Sequence, residues 1–222
     1  MMNEFQMDYL NYVRKMSSEL QLTVFLTGSM AHGEETNYSD VDILIQYKEN
    51  KELDLFIKKY RPLLYATYTE RPKGICILIY DNGVAVDLDI RKSITKAEKE
   101  KGRRLSQLDM LPVGNLIRVE NTVLDSFPTQ SPYYQFIRLF HRALCKRLSF
   151  KYEAAEGLMA EIREGIQQYV SFPIQWNNQF MDDIQHAIRC LYKERAFSVG
   201  YYSLLIQLVE QGINHEHYND NK

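Results

Sequence analysis

Two pairs of aspartates carry the chemistry that this sequence offers most openly. Asp40 and Asp42 flank Val41, and Asp87 and Asp89 flank Leu88 in the run Val84-Ala85-Val86-Asp87-Leu88-Asp89-Ile90. In a strand, residues i and i+2 point to one face, so each pair would present two carboxylates together while its apolar neighbours face a core. Carboxylate oxygens are what a hard cation such as Mg²⁺ takes, and Mg²⁺ readily completes its shell with phosphate oxygens. Upstream of the first pair stands Gly28-Ser29-Met30-Ala31-His32-Gly33. Backbone N–H groups at Gly28, the Ser29 hydroxyl and a helix start behind them are suited to reach a phosphate. His32 in the same turn and Ser39 just ahead of Asp40 are further candidates for phosphate contact. A third acid on an adjacent strand would complete a two-metal clamp for in-line phosphoryl transfer, and the 84–90 run supplies one. Acids alternating with apolar residues can also be the wet face of an edge strand. Three coincident features weigh against that: the Gly-Ser turn, the acid pair behind it, and the second pair in a later apolar strand. Gathering like charges in this way is costly without cations.

The elements that must position these residues follow from periodicity. Residues 22–26 (LTVFL) form a short buried strand that ends at Thr27-Gly28-Ser29, and residues 41–47 (VDILIQY) form a second. Residues 64–68, 75–80 and 84–90 are further strands, the last two joined by the turn chemistry of Asp81-Asn82-Gly83. Helical spacing covers 4–20 and 52–60. After Arg91 strand signals give way to helical periods over 96–108, 133–148, 152–169, 178–192 and 196–211. The predicted class is α+β: a mixed sheet with flanking helices over 1–92 and an all-helical domain over 93–222.

Composition bounds the function. The chain has 222 residues, 27 Lys and Arg against 29 Asp and Glu, and a formal charge of −2, so no global charge advertises nucleic acid or an anionic membrane. No apolar run approaches the roughly 18 residues of a membrane span. The first residues lack the basic start and apolar stretch of a signal peptide. Cys76, Cys145 and Cys190 are odd in number and far apart, the pattern of reduced thiols, and the expected location is the cytoplasm.

The run Gly28-Ser29-x-Ala31-x-Gly33-x5-Ser39-Asp40-x-Asp42 resembles the signature of the nucleotidyltransferase superfamily, with its polymerase-β-like fold. That superfamily includes antibiotic nucleotidyltransferases, minimal nucleotidyltransferases of toxin–antitoxin pairs and tRNA CCA-adding enzymes. The resemblance covers about residues 20–92. It implies Mg²⁺, and an NTP, most often ATP, whose nucleoside monophosphate passes to an acceptor with release of pyrophosphate. By position, Asp40 and Asp42 would be metal ligands, and Gly28 and Ser29 triphosphate contacts. The third family carboxylate falls on Asp87 or Asp89, with the apolar-Asp-apolar surroundings of Asp87 slightly the closer match.

The helical half adds charge patterns. Arg138, Arg142 and Lys146 recur every four residues and form one stripe, which either faces a triphosphate or is a solvated flank. The charged residues 91–104 read as an exposed helix. Residues 152–222 hold ten acids against five bases, a balance that suits a cationic small-molecule acceptor and would repel RNA or DNA. Glu153 and Glu156, at i and i+3, are candidates for the base that deprotonates an acceptor hydroxyl. The leading reading is an adenylyltransferase-like enzyme acting on a small molecule, an aminoglycoside or similar antibiotic being the example. The alternatives are a toxin–antitoxin or regulatory enzyme modifying a protein or RNA, and a silent nucleotide-binding module. The sequence leaves the oligomeric state open.

Overall fold

The computed structural model describes residues 2–46, 50–69, 75–91, 94–101, 103–104 and 134–220. Two compact units divide the chain, Met1–Thr129 and Gln130–Lys222. In the first, helix α1 (Glu4–Glu19) opens on a reciprocal cap: Asn3 accepts from the Gln6 backbone N–H, and the Gln6 side chain accepts from Asn3. That arrangement satisfies two of the donors a helix start leaves unpaired. Strands β1 (Thr23–Leu26), β2 (Val41–Gln46), β3 (Leu63–Thr69), β4 (Ile75–Tyr80), β5 (Ala85–Arg91) and β6 (Arg103–Arg104) make one sheet in the order β3-β4-β5-β2-β1-β6. Helices α2 (Gly28–His32), α3 (Asn50–Lys58) and α4 (Lys96–Lys101) lie between strands in sequence. The sheet is mixed: β2 and β5 run parallel, and the other pairs are antiparallel.

Alternation sorts the two sheet faces. Val41, Ile43 and Ile45 on β2, with Val86, Leu88 and Ile90 on β5, enter a core shared with Tyr9, Leu10 and Val13 of α1 and Leu53, Phe56 and Ile57 of α3. The residues between them face the other way, and there, among the described residues, Phe25, Leu44 and Ile94 make a small apolar cluster. The hairpin between β4 and β5 closes as its sequence requires, with Gly83 at φ 84° donating to the Tyr80 carbonyl.

The charged stretch after Arg91 departs from the single helix expected there. α4 ends at Lys101, and Arg103–Arg104 pairs with Leu26 and Phe25 as a sixth strand. β1 has β2 on one side only, so its other edge carries backbone groups that need partners, and this short strand supplies them. Unit 1 therefore contains paired strand beyond residue 92.

The second unit is helical: α5 (Tyr134–Leu148), α6 (Tyr152–Ile166), a 3₁₀ turn (Gln167–Tyr169), α7 (Phe180–Lys193) and α8 (Val199–Asp220). Phe136, Phe140 and Leu144 of α5, Met159 and Ile162 of α6, Ile184 and Ile188 of α7, and Tyr201 and Leu205 of α8 are buried. Among the described residues no helix is long and apolar enough to cross a membrane.

Candidate active site

The parallel pairing of β2 with β5 builds the acid face. Asp42 stands in register with Asp87, and Leu44 with Asp89. Register partners on parallel strands about 4.8 Å apart project to the same side, so Asp42 and Asp87 sit side by side. Asp40 precedes β2 with the same parity as Asp42, and both are half-buried. Asp89 lies one pleat further along β5, level with Leu44 rather than with an acid. Its Oδ2 accepts from Arg91 Nη2 at 2.6 Å. The doubt between Asp87 and Asp89 thus resolves into two different placements: Asp87 beside Asp42, Asp89 beside Arg91.

The Gly-Ser turn is locked against this face. Thr27 donates its backbone N–H to the Asp42 carbonyl at 2.9 Å, and its hydroxyl donates to the same oxygen at 3.3 Å. Gly28 has φ +61°, the left-handed region that glycine enters without steric cost. A β-carbon there would fall 2.6 Å from Asp42 Cγ and collide with Oδ2, so only glycine lets the turn pack on the carboxylate. Gly33, at φ +75°, ends α2, whose Ser29 carbonyl accepts from Glu34 N at 2.9 Å. The loop back to Asp40 is held by α1: Gln6 Nε2 donates to the Ser39 carbonyl at 2.8 Å and to the Thr36 carbonyl at 3.2 Å.

Oxygen donors from β2 and β5, beside a glycine turn, fit a hard cation and a phosphate in chemical type. Among the described residues no group of three His, Cys, Asp or Glu side chains is already gathered closely enough to hold a metal ion.

The nucleotidyltransferase domain family matches residues 7–110, which include the turn, both acid pairs and every strand of this sheet. No curated protein matches the sequence. Among solved structures, the chain is similar to a Thermotoga maritima CCA-adding enzyme complexed with tRNA, at 13% identity and TM-score 0.36, covering 98% of this chain and 52% of that one. A CCA-adding enzyme complexed with ATP matches at 12% identity and TM-score 0.37, covering 97% and 50%. The polymerase core of TRAMP, an RNA surveillance complex, matches at 13% identity and TM-score 0.34, covering 92% and 56%. The chain spans about half the length of these structures.

Within the first unit the remaining expected residues are placed unequally. Ser29 is half-buried in α2, and His32 is exposed at its end. The Ser39 hydroxyl is engaged inside the loop, accepting from Thr36 N at 2.9 Å and lying 3.2 Å from the Thr36 hydroxyl. Cys76 on β4 is fully buried, and burial, with the Asp87 charge second, pushes its thiol up to about 12. Two residues that shape the domain's acid face escaped the sequence reading. Gln6 had a signal in the Asn3-x-x-Gln6 spacing of a cap, and Arg91 in its parity with Asp87 and Asp89.

In the second unit Arg138, Arg142 and Lys146 form the expected stripe on α5, and all three are half-buried rather than fully solvated. Glu153 and Glu156 are exposed on α6. Glu156 lies 3.9 Å from both Arg147 and Arg163, and so sits between two guanidinium groups. Arg163 also pairs with the buried Asp183 at 2.7 Å, and its guanidinium carbon lies 6.0 Å from the centroid of the Trp176 ring.

Proposed function

We propose that this protein transfers a nucleoside monophosphate, AMP from ATP as the leading case, to a hydroxyl of a small-molecule acceptor. The observation that carries the reading is the register of Asp42 with Asp87, with Gly28 packed on the Asp42 carboxylate. In this reading Asp40, Asp42 and Asp87 would hold Mg²⁺, which when bound neutralises triphosphate charge. Gly28 brings the turn's backbone close to the acids, and Ser29 contributes a hydroxyl toward the phosphates. The acceptor oxygen bonds to the α-phosphorus, the bond to the bridging oxygen breaks, and pyrophosphate leaves. The acceptor proton needs a carboxylate within about 3 Å. Asp87 is one source, and Glu153 or Glu156 is another. Arg138, Arg142 and Lys146 are candidates for anion contact, supported by their shared half-buried stripe.

The proposed acceptor is cationic, with an aminoglycoside as the first compound to try. What supports this is the acid excess of residues 152–222, since Glu153, Glu156, Glu161, Glu164, Asp182 and Glu210 are exposed. Long-range attraction of that kind raises encounter rates with cations and opposes nucleic acid.

The test is pyrophosphate release with each NTP, Mg²⁺ and a panel of aminoglycosides, lincosamides and RNA 3′ ends. Release with a small cationic acceptor is the expected result. Release with RNA alone would overturn the acceptor class while keeping the transfer. No release with any NTP and acceptor, together with nucleotide binding, would favour the silent module.

A further inference from the structure

The acid face carries a side chain for which nucleotide transfer supplies no role. Arg91 ends β5, two residues past Asp89 and four past Asp87, so the three side chains share one face of the strand. It is 2% exposed. Its partner in register on β2 is Gln46, also buried, and between Gln46 and Asp42 the strand carries Leu44, packed with Phe25 and Ile94. The face therefore runs from half-buried acids at one end, past an apolar patch, to a buried guanidinium at the other. Arginine does not lose its charge in proteins, and a charge in such a place persists only when paired. The pair is Asp89, whose Oδ2 accepts from Arg91 Nη2 at 2.6 Å. This bond ties the Asp89 carboxylate to the residue two further along the strand and offsets its charge.

Building on the Mg²⁺ reading above, we infer that Arg91 is a positioning residue: by binding Asp89 it keeps a fourth carboxylate out of the ligand set. Asp89 lies two residues from Asp87, a rise of about 6–7 Å along the strand. Released from Arg91, it would add a full negative charge at that distance from the cation. At that range even water-like screening makes one extra charge worth about tenfold in affinity for a divalent ion.

The experiment is Mn²⁺ binding followed by electron paramagnetic resonance on the full chain without nucleotide, beside apo melting curves. Asp42→Asn is expected to weaken Mn²⁺ binding by more than about a hundredfold, whereas Asp89→Asn, which removes one charge and leaves that of Arg91 unopposed, weakens it by no more than about tenfold. Arg91→Met is expected to tighten it about tenfold, and the double variant Asp89→Asn/Arg91→Met to return it to near the wild-type value. If Arg91→Met does not fold, the double variant, which removes both charges at once, decides: Mn²⁺ affinity lost there would make Asp89 a ligand. Mn²⁺ affinity lost in Asp89→Asn as in Asp42→Asn would make Asp89 a ligand and overturn the inference. So would an Arg91→Met protein that melts lower with unchanged Mn²⁺ affinity, because the ion pair would then serve stability alone. Unchanged binding in Asp42→Asn would instead sink the metal-site reading itself.

Discussion

Gly28→Ala separates the geometry of the acid face from ordinary backbone strain, because the same turn supplies its own control. Gly28 and Gly33 both sit at positive φ, +61° and +75°. Placing alanine in the left-handed region costs about 1–2 kcal/mol at either position. A domain of this size loses roughly 2–8 °C of melting temperature per kcal/mol, so both variants should melt somewhat lower. They differ in what the new methyl meets. At Gly33 nothing lies within 4 Å, whereas at Gly28 the methyl would stand 2.6 Å from Asp42 Cγ, where ordinary contact begins at 3.4 Å. Asp42 Oδ2 stands closer still, so the carboxylate must retreat by more than ~1 Å, and misplacement on that scale can cost about 10²-fold in rate. Pyrophosphate release at saturating NTP, with melting curves alongside, reads both effects. Gly28→Ala should lose about 10²-fold in turnover, with Gly33→Ala close to wild type. Equal turnover in the two variants would refute the packing of the turn against Asp42 as a functional contact.

Other expectations follow from buried and paired groups. Burial pushes the Cys76 thiol up to about 12 and raises Tyr9 and Tyr80 well above their ordinary values, whereas an unfolded thiol titrates near about 8.5. Between those limits the unfolded chain binds fewer protons than the native one, so stability should fall as pH rises from about 9 toward 12. Melting scans across that range should show the fall, shallower in Cys76→Ala, and a flat profile would contradict it. Asp183, 2% exposed, pairs with Arg163 at 2.7 Å and accepts from Asn177 N at 2.9 Å, so Asp183→Ala removes both bonds, leaves Arg163 its longer contact with Glu156, and should cost about 1.5–3 kcal/mol. A melting curve matching wild type would count against that pair. Glu153→Gln or Glu156→Gln should lower kcat by about 10²–10⁴-fold at unchanged nucleotide affinity if one of them takes the acceptor proton. Near-wild-type kcat in both would move that role to Asp87.

Most of what positions the site could be read from residue order, because alternation and turn chemistry are local. The acid pairs, the Gly-Ser turn and the 75–80 and 84–90 strands with their Asp-Asn-Gly hairpin are all where periodicity puts them. Register is not local. Nothing in Val86-Asp87-Leu88-Asp89 says which acid stands beside Asp42, and only the parallel pairing of β2 with β5 separates the two. The same holds for Arg103–Arg104, whose charge suits an exposed helix but whose backbone completes the open edge of β1. Ser39 looked like a phosphate ligand by its place ahead of Asp40, yet its hydroxyl ties the loop to Thr36. Arg91 was counted among the surface charges of the following segment, because its burial beside Asp89 and in register with Gln46 depends on how the strands pair.

The central claim is that Asp40, Asp42 and Asp87 serve to hold a cation and a nucleotide rather than to stabilise the fold. Melting curves of wild type and Asp42→Asn, each apo, with Mg²⁺, with ATP and with both, test it most directly. Wild type should be stabilised only by Mg²⁺ and ATP together, by about 2.7 kcal/mol at 100 times the Kd. Asp42→Asn should melt no lower than wild type when apo, since removing one of several neighbouring like charges relieves repulsion, and should gain nothing from the ligands. An apo Asp42→Asn protein that melts lower than wild type, yet is still stabilised by Mg²⁺ and ATP, would contradict the account.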